Sequence, residues 1–398
     1  MAHASPLRER HLQAEAALMR YGPAGTRIEL VESFGELDFE YAAIRKSCIL
    51  LDEPHRGTVE ITGDDRHEFL NNMLTQQIKG LTPMRSTPSF WLNRQGRIIA
   101  DLRVLELGDR MLIDLDAHAA APTVESLAGF VIMEDVEIAD ASERFHRLAL
   151  HGPTAPALLD AASVHRDGPH PADLTPFSAC TVEIAGAEVI AERVDTTGEV
   201  GLELTMDTDA ARAVYEHLVE VGQPHDGEDE STPASRIKLR PAGWLAYNTA
   251  RIEAGTPLFN IDFSTESLPA ETGLLESRVS FTKGCYLGQE IVARLHNLGK
   301  PKQRLIAFKP EGENLRDEQG LARQPLGGAH VFPADNPSSD PVGVVTSSTI
   351  SPMLGGEPVC FALVKGDHAD PGTRLAVQSE GVLLTGEVRE KLTFYERG

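Results

Sequence analysis

Cysteine is scarce in this chain, aromatic residues are few, and charge is heavily one-sided. The 398 residues hold four cysteines, Cys48, Cys180, Cys285 and Cys360, far apart and with no Cys-X-X-Cys pair. That excludes a zinc knuckle or a ferredoxin-type cluster ligated by this chain alone, and no metal site is expected. Cys48, Cys180 and Cys360 lie in SCILL, SACTVEIAG and VCFALV and read as buried packing residues. The fourteen histidines show no His-Glu-X-X-His or comparable ligand spacing. No apolar run approaches the roughly 18 residues of a membrane span. The first twenty residues lack the apolar core and small-residue cleavage site of a secretory signal, so a cytoplasmic location is expected. Lys and Arg number 37 against 60 Asp and Glu, a net charge of −23. That balance disfavours direct binding of nucleic-acid phosphates. Six tyrosines and two tryptophans leave little material for stacking surfaces.

What is present is a globular composition, 41% hydrophobic and 24% charged. The length exceeds one ordinary core and predicts two or three domains. From Tyr41 to Leu81 the pattern reads helix, strand, helix: AAIRKSCILLD with helical spacing at first, GTVEITG alternating, then GDDRHEFLNNMLTQQI behind acidic capping residues. FWLNRQGRIIADLRVLEL holds two β-rich runs around a hairpin turn at Asn93-Arg94-Gln95-Gly96. MLIDLD, RFHRLALHG, CTVEIAG, AEVIAERV and GLELT read as strands. Residues 121–130, ARAVYEHLVEVG and PAGWLAYNTARIEAG read as helices, and the polar residues 222–236 as an exposed loop. After Arg294, short β-rich runs broken by Gly and Pro predict a small barrel or sandwich. No internal repeat is visible.

One segment is explained poorly by packing: Lys283-Gly284-Cys285-Tyr286-Leu287-Gly288-Gln289-Glu290, followed by Arg294. Lys283 places positive charge near the Cys285 thiol. Gly284 and Gly288 permit close backbone approach or positive φ. Gln289, Glu290 and Arg294 are expected to shape the loop by hydrogen bonds and an ion pair. Asp101 interrupts the apolar run Ile98–Val104, which is costly unless the carboxylate is paired or wet.

The octapeptide resembles the Lys-Gly-Cys-aromatic-X-Gly-Gln-Glu signature of the YgfZ-type folate-binding proteins, relatives of the glycine-cleavage T-protein (aminomethyltransferase) and of mitochondrial iron–sulfur cluster assembly factors. Other segments are similar to that superfamily in the same order. They are the Asp52-X-X-His55 turn, NRQGRIIADLRV with Asp101, TTGEVGLEL with Glu203, and LRPAGWLAYNTARIEAG with Arg240, Arg251, Glu253 and Gly255. The resemblance implies an α+β T-protein-like cloverleaf of folate-pocket domains followed by a C-terminal β-barrel. Residues 1–55 with 146–285 would form the first folate-pocket domain, 56–145 the second, and 286–398 the barrel.

It further implies that Glu203 accepts N–H donors of a pterin, that Asp101 lies by the folate nitrogens and that Arg251 orients nearby acids. Each has a plainer reading. Glu203 would face solvent, Asp101 would pair with an arginine, Arg251 and Glu253 would pair on the closing turn of a helix, and Asp52 and His55 would only shape a turn. Pro88 and Thr196 stand where the superfamily has folate-stacking tyrosines. The function expected is a tetrahydrofolate-binding YgfZ-like protein that supports iron–sulfur cluster assembly or repair in client enzymes. Cys285 would then share a transient cluster, and the link to tRNA modification would be indirect. The alternatives are a tetrahydrofolate-dependent aminomethyltransferase with Asp101 as its acid, and a non-catalytic binding or scaffold protein. The partners implied are a folate and iron–sulfur client or assembly proteins.

Overall fold

A computed structural model describes residues 4–223 and 238–395. From residue 224 on, the polar 222–236 segment lies outside the described residues. The chain divides into two compact units, one of residues 1–89 and 100–247, the other of residues 90–99 and 248–398.

The first unit is built on two sheets. In the seven-stranded sheet the order is Val164–Asp167, Ala179–Ile184, Ala187–Arg193, Gly201–Asp207, Phe145–His151, Cys48–Asp52 and Leu239–Pro241. Only the pairing of Leu239–Pro241 with Cys48–Asp52 is parallel. Helices Ala155–Ala162 and Ala211–Val221 place Leu158, Leu159, Val214 and Leu218 against Leu148, Leu150, Leu202 and Leu204 of this sheet. Apolar residues spaced three and four apart give each helix one buried stripe. Each such side chain contributes roughly 1.5–3 kcal/mol on leaving water. The five-stranded sheet runs Arg85–Leu92, Ile98–Glu106, Met111–Asp116, Arg56–Thr62 and Glu137–Asp140.

Three boundaries differ from expectation. The helix of AAIRKSCILLD stops at Lys46, and Cys48–Asp52 is a strand buried along its whole length. An unbroken apolar run sandwiched between two neighbours is what a central strand requires. GDDRHEFLNNMLTQQI is helical only over Arg66–Met73. The helix expected at 121–130 spans Ala117–Ala128, because the Asp116 carboxylate accepts from the His118 N–H at 2.8 Å and starts it earlier.

The second unit carries a closed six-stranded barrel, ordered Gln303–Glu311, Glu357–Lys365, Gly343–Ser351, His330–Pro333, Arg374–Ser379 and Val382–Val388. Phe308, Val331, Val345, Cys360, Leu375 and Leu384 fill it. The Asn93–Gly96 turn also belongs to this unit. Gly96 N–H donates to the Asn93 carbonyl at 2.9 Å, and Gly96 has φ +72°. The end of the signature is helical, not loop: Gln289, Glu290 and Arg294 all lie on helix Gln289–Leu298.

Candidate functional site

Strand Ile98–Glu106 puts Asp101 and Arg103 two residues apart and therefore on one face. Asp101 is half-buried and Arg103 buried. The Arg103 guanidinium donates to Glu203, on strand Gly201–Asp207 of the other sheet. It also lies 2.7 Å from Glu192 and 3.0 Å from Asp114. Glu203 is thus brought to the Asp101 strand, but through Arg103, and it does not face solvent.

Arg103 is the hub of a larger buried cluster. Arg56 donates two hydrogen bonds to Asp114, at 3.0 and 2.6 Å, and Arg147 donates to the same carboxylate from strand Phe145–His151. Ser86 donates to Glu192. Against the cost of burial, Arg147, Arg56 and Arg103 hold Asp114 well below the usual carboxylate range. Burial pushes Glu192 up, only partly offset by Arg103. Glu53 is pushed up to about 8, first by burial and then by the charge of Glu203. Ion pairs of this kind stitch two sheets together, yet the desolvation they cost makes them weak as a source of stability alone. Sequence reading named Glu203 but missed Arg103, Asp114 and Glu192. The signal available was the second charge, two residues after Asp101, in the same apolar strand.

The Asp52-X-X-His55 turn splits into two roles. The Asp52 carboxylate bonds His11 Nε2 at 2.8 Å and His146 Nε2 at 2.7 Å, and Ser5 donates to it. Against burial, His146 and His11 hold Asp52 far below its ordinary value. Asp52 therefore pins the helix Arg8–Gln13, where His11 sits. His55 instead lies among aromatic rings, 5.1 Å from Tyr21 and 5.6 Å from Trp244 between centroids. Burial lowers its pKa to about 3, so the imidazole is neutral. Trp244 and Tyr247 are 5.6 Å apart, and Tyr247 donates to Thr196 at 3.4 Å. The hydroxyl at the departed tyrosine position thus meets a tyrosine supplied by another element. Tyr21, Trp244 and Tyr247 form an aromatic cluster that sequence reading did not assemble, although Trp244 and Tyr247 are three apart on a helix. Pro88 is buried in strand Arg85–Leu92. Arg56 and His146 also line a cleft of about 390 Å³, with His118, Asp140 and Glu143.

Arg251 lies in the second unit and is fully buried. It donates to Asp262 at 2.6 Å, to Asn248 at 2.9 Å, to the Thr256 carbonyl at 3.1 Å and to Ser347 at 2.7 Å. Glu253 accepts from Ser351. The plainer reading, an Arg251–Glu253 pair, does not hold: positions two apart on a helix point to different sides, so each finds its own partner. The guanidinium that was expected to orient folate-site acids is committed to protein groups.

Cys285 is exposed, whereas Cys48, Cys180 and Cys360 are buried. The Lys283 ammonium lies 5.1 Å from the centroid of the Tyr286 ring, and burial lowers its pKa to about 8. Gly288 has φ +80° and opens helix Gln289–Leu298. A Cβ on it would meet the Asn93 carbonyl oxygen at 2.8 Å, so this glycine lets the helix entry sit on the Asn93–Gly96 turn. Gly284 has neither constraint: nothing lies within 4 Å of its Cβ position. Among the described residues no group of three or more His, Cys, Asp or Glu is placed to hold a metal ion, and no helix is long and apolar enough to cross a membrane.

Residues 8–283 match the GCVT N-terminal domain, and residues 307–396 match the glycine cleavage T-protein C-terminal barrel domain. An aminomethyltransferase of Saccharopolyspora erythraea is 31% identical over 367 residues, covering 90% of this chain and 89% of the relative. The aminomethyltransferase of Halothermothrix orenii is 28% identical over 389 residues, covering 96% and 98%. A probable aminomethyltransferase of Halobacterium salinarum is 27% identical over 390 residues, covering 95% and 94%. The crystal structure of glycine cleavage system aminomethyltransferase T from Bartonella henselae superposes with a TM-score of 0.80 at 23% identity, covering 98% of this chain and 97% of that one. The fold is therefore the α+β T-protein fold with its closed C-terminal barrel, and the chain belongs to the glycine cleavage T-protein family.

Proposed function

We propose that the protein binds tetrahydrofolate, or a derivative of it, and acts as an aminomethyltransferase in one-carbon transfer. The observation that carries this reading is the pairing of Glu203 with Arg103 across the two sheets, on the strand face that also bears Asp101. The donor set fits a pterin. Four buried carboxylates, Glu53, Asp114, Glu192 and Glu203, face three guanidinia, Arg56, Arg103 and Arg147. Arg103 is shared among Glu203, Glu192 and Asp114, so the Glu203 carboxylate keeps lone pairs for ligand N–H groups. Glu203 would accept from the pterin edge, with Arg103 holding its carboxylate in place. Asp101, half-buried two residues before Arg103 on the same strand, would exchange the proton as the one-carbon unit moves. A cytoplasmic location and the division into two folate-pocket domains, 1–55 with 146–285 and 56–145, followed by a barrel domain from 286, belong to the same reading.

The test is formation of methylene-tetrahydrofolate from an aminomethylated lipoyl carrier. Wild type is expected to turn over, and Asp101→Asn to lose on the order of 10²–10⁴-fold in rate, the usual scale of a general acid–base group. Turnover unaffected by the substitution would remove Asp101 from the chemistry.

A second reading has one specific observation in its favour, the exposed Cys285 on its glycine-flanked turn. In it the protein is a YgfZ-like folate-binding factor that supports iron–sulfur clusters in client enzymes, with any transient cluster completed by ligands from a partner. Folate binding without turnover in the same assay would favour this reading.

A further inference from the structure

Between strand Cys48–Asp52 and helix Trp244–Ala254 lies a small chamber lined by Leu30, Val31, Leu51, Asp52, Glu53, His55, Trp244 and Tyr247. It leaves about 10 Å³ open to the centre of a water molecule, room for one. Its walls are mostly apolar, but two buried atoms of its lining, Glu53 Oε2 and His55 Nδ1, have no hydrogen-bond partner among the described residues. A buried polar atom left unmade costs roughly 1–3 kcal/mol, and two at one chamber mark a place where a bound molecule belongs.

We propose that Glu53 and His55 hold one buried water and that Glu53, with this water, is a proton-exchange site governed by the charge at Glu203. The proposal rests on the folate reading only for its ligand arm. The groups facing Glu53 come from four strands: Glu203 on Gly201–Asp207, Arg56 on Arg56–Thr62, Asp114 on Met111–Asp116 and Arg147 on Phe145–His151. Asp52 and His55 adjoin it in the chamber, Asp52 being tied to His11 and His146. Asp114 is compensated by three arginines and Glu203 by Arg103, so Glu203 is the less compensated of the two charges. Before a ligand binds, Glu203 is paired with Arg103, and Glu53 keeps its proton and offers an O–H to the water, whose own O–H reaches His55. When a ligand's N–H groups draw on Glu203, its field at Glu53 weakens and Glu53 releases the proton through the water. The balance is simple: one O–H bond on Glu53 breaks, the proton leaves to solvent, and nothing is oxidised or reduced. Binding that releases a proton tightens as pH rises, by up to about tenfold per pH unit in the window where Glu53 is protonated.

Carboxyl ¹³C NMR of glutamate-labelled protein tests this without ligand. Wild type is expected to show one glutamate titrating near pH 8, absent in Glu53→Gln and moved to lower pH in Glu203→Gln. No such signal, or a midpoint unmoved by Glu203→Gln, overturns the proposal. A high-resolution crystal structure should show one water against Glu53 Oε2; an empty chamber overturns the water. Calorimetry with tetrahydrofolate in buffers of different ionisation heat should count proton release in wild type and none in Glu53→Gln, and equal release in both contradicts the proposal. Absence of any tetrahydrofolate binding sinks the folate reading alone, and the ligand-free titration still decides Glu53.

Discussion

Two glycines of the signature look alike in sequence and differ in physics. Gly288 sits at φ +80° with the Asn93 carbonyl where a Cβ would go, whereas Gly284 stands in open space. Gly288→Ala is expected to cost about 1–2 kcal/mol for the left-handed backbone, plus the shift of the Asn93 turn. Gly284→Ala should stay within about 0.5 kcal/mol. Urea unfolding of the two variants checks this, and equal losses would contradict the packing assigned to Gly288. The same contrast holds for charges. A sequence marks Asp101 as out of place in an apolar strand and Glu203 by its resemblance, but it does not show that Arg103 pairs with Glu203. The packing of two sheets, between residues 100 apart in the chain, decides that.

Elements were legible where a β-rich run is bounded by turn residues. The strands Ile98–Glu106, Met111–Asp116, Phe145–His151, Ala179–Ile184, Ala187–Arg193 and Gly201–Asp207 fall on such runs. Cys48–Asp52 was harder, since a run buried on both faces has no period to separate strand from helix. Helix Trp244–Ala254 was found, yet what its side chains do was not: Trp244 and Tyr247 join Tyr21 and His55, while Arg251 goes to Asp262. Both ends of that ion pair are fully buried. Arg251→Met should therefore destabilise by about 3–5 kcal/mol, because it strands the Asp262 carboxylate without its charge partner. Thermal unfolding measures the loss. If Arg251→Met unfolds like wild type while folate affinity falls, the residue is a ligand group and the structural role assigned to it is wrong.

At the scale of the molecule, part of the acid content is interior: Glu53, Asp114, Glu192 and Glu203 are all buried in the first unit. Carboxylates gathered away from water are expensive, and three arginines lower the cost without cancelling it. That buried cluster is the feature that a ligand rich in N–H donors would relieve. The barrel, by contrast, follows from its Gly- and Pro-broken strands and carries no comparable cluster among its described core residues. The account's central claim is that the Glu203 region is a folate site, and calorimetric titration with tetrahydrofolate tests it most directly. Wild type should bind, and Glu203→Ala should weaken binding by about 1.5–3 kcal/mol, roughly ten- to a hundredfold, the scale of hydrogen bonds to a charged group. Equal affinity in both proteins, or no binding in wild type at millimolar ligand, would contradict it.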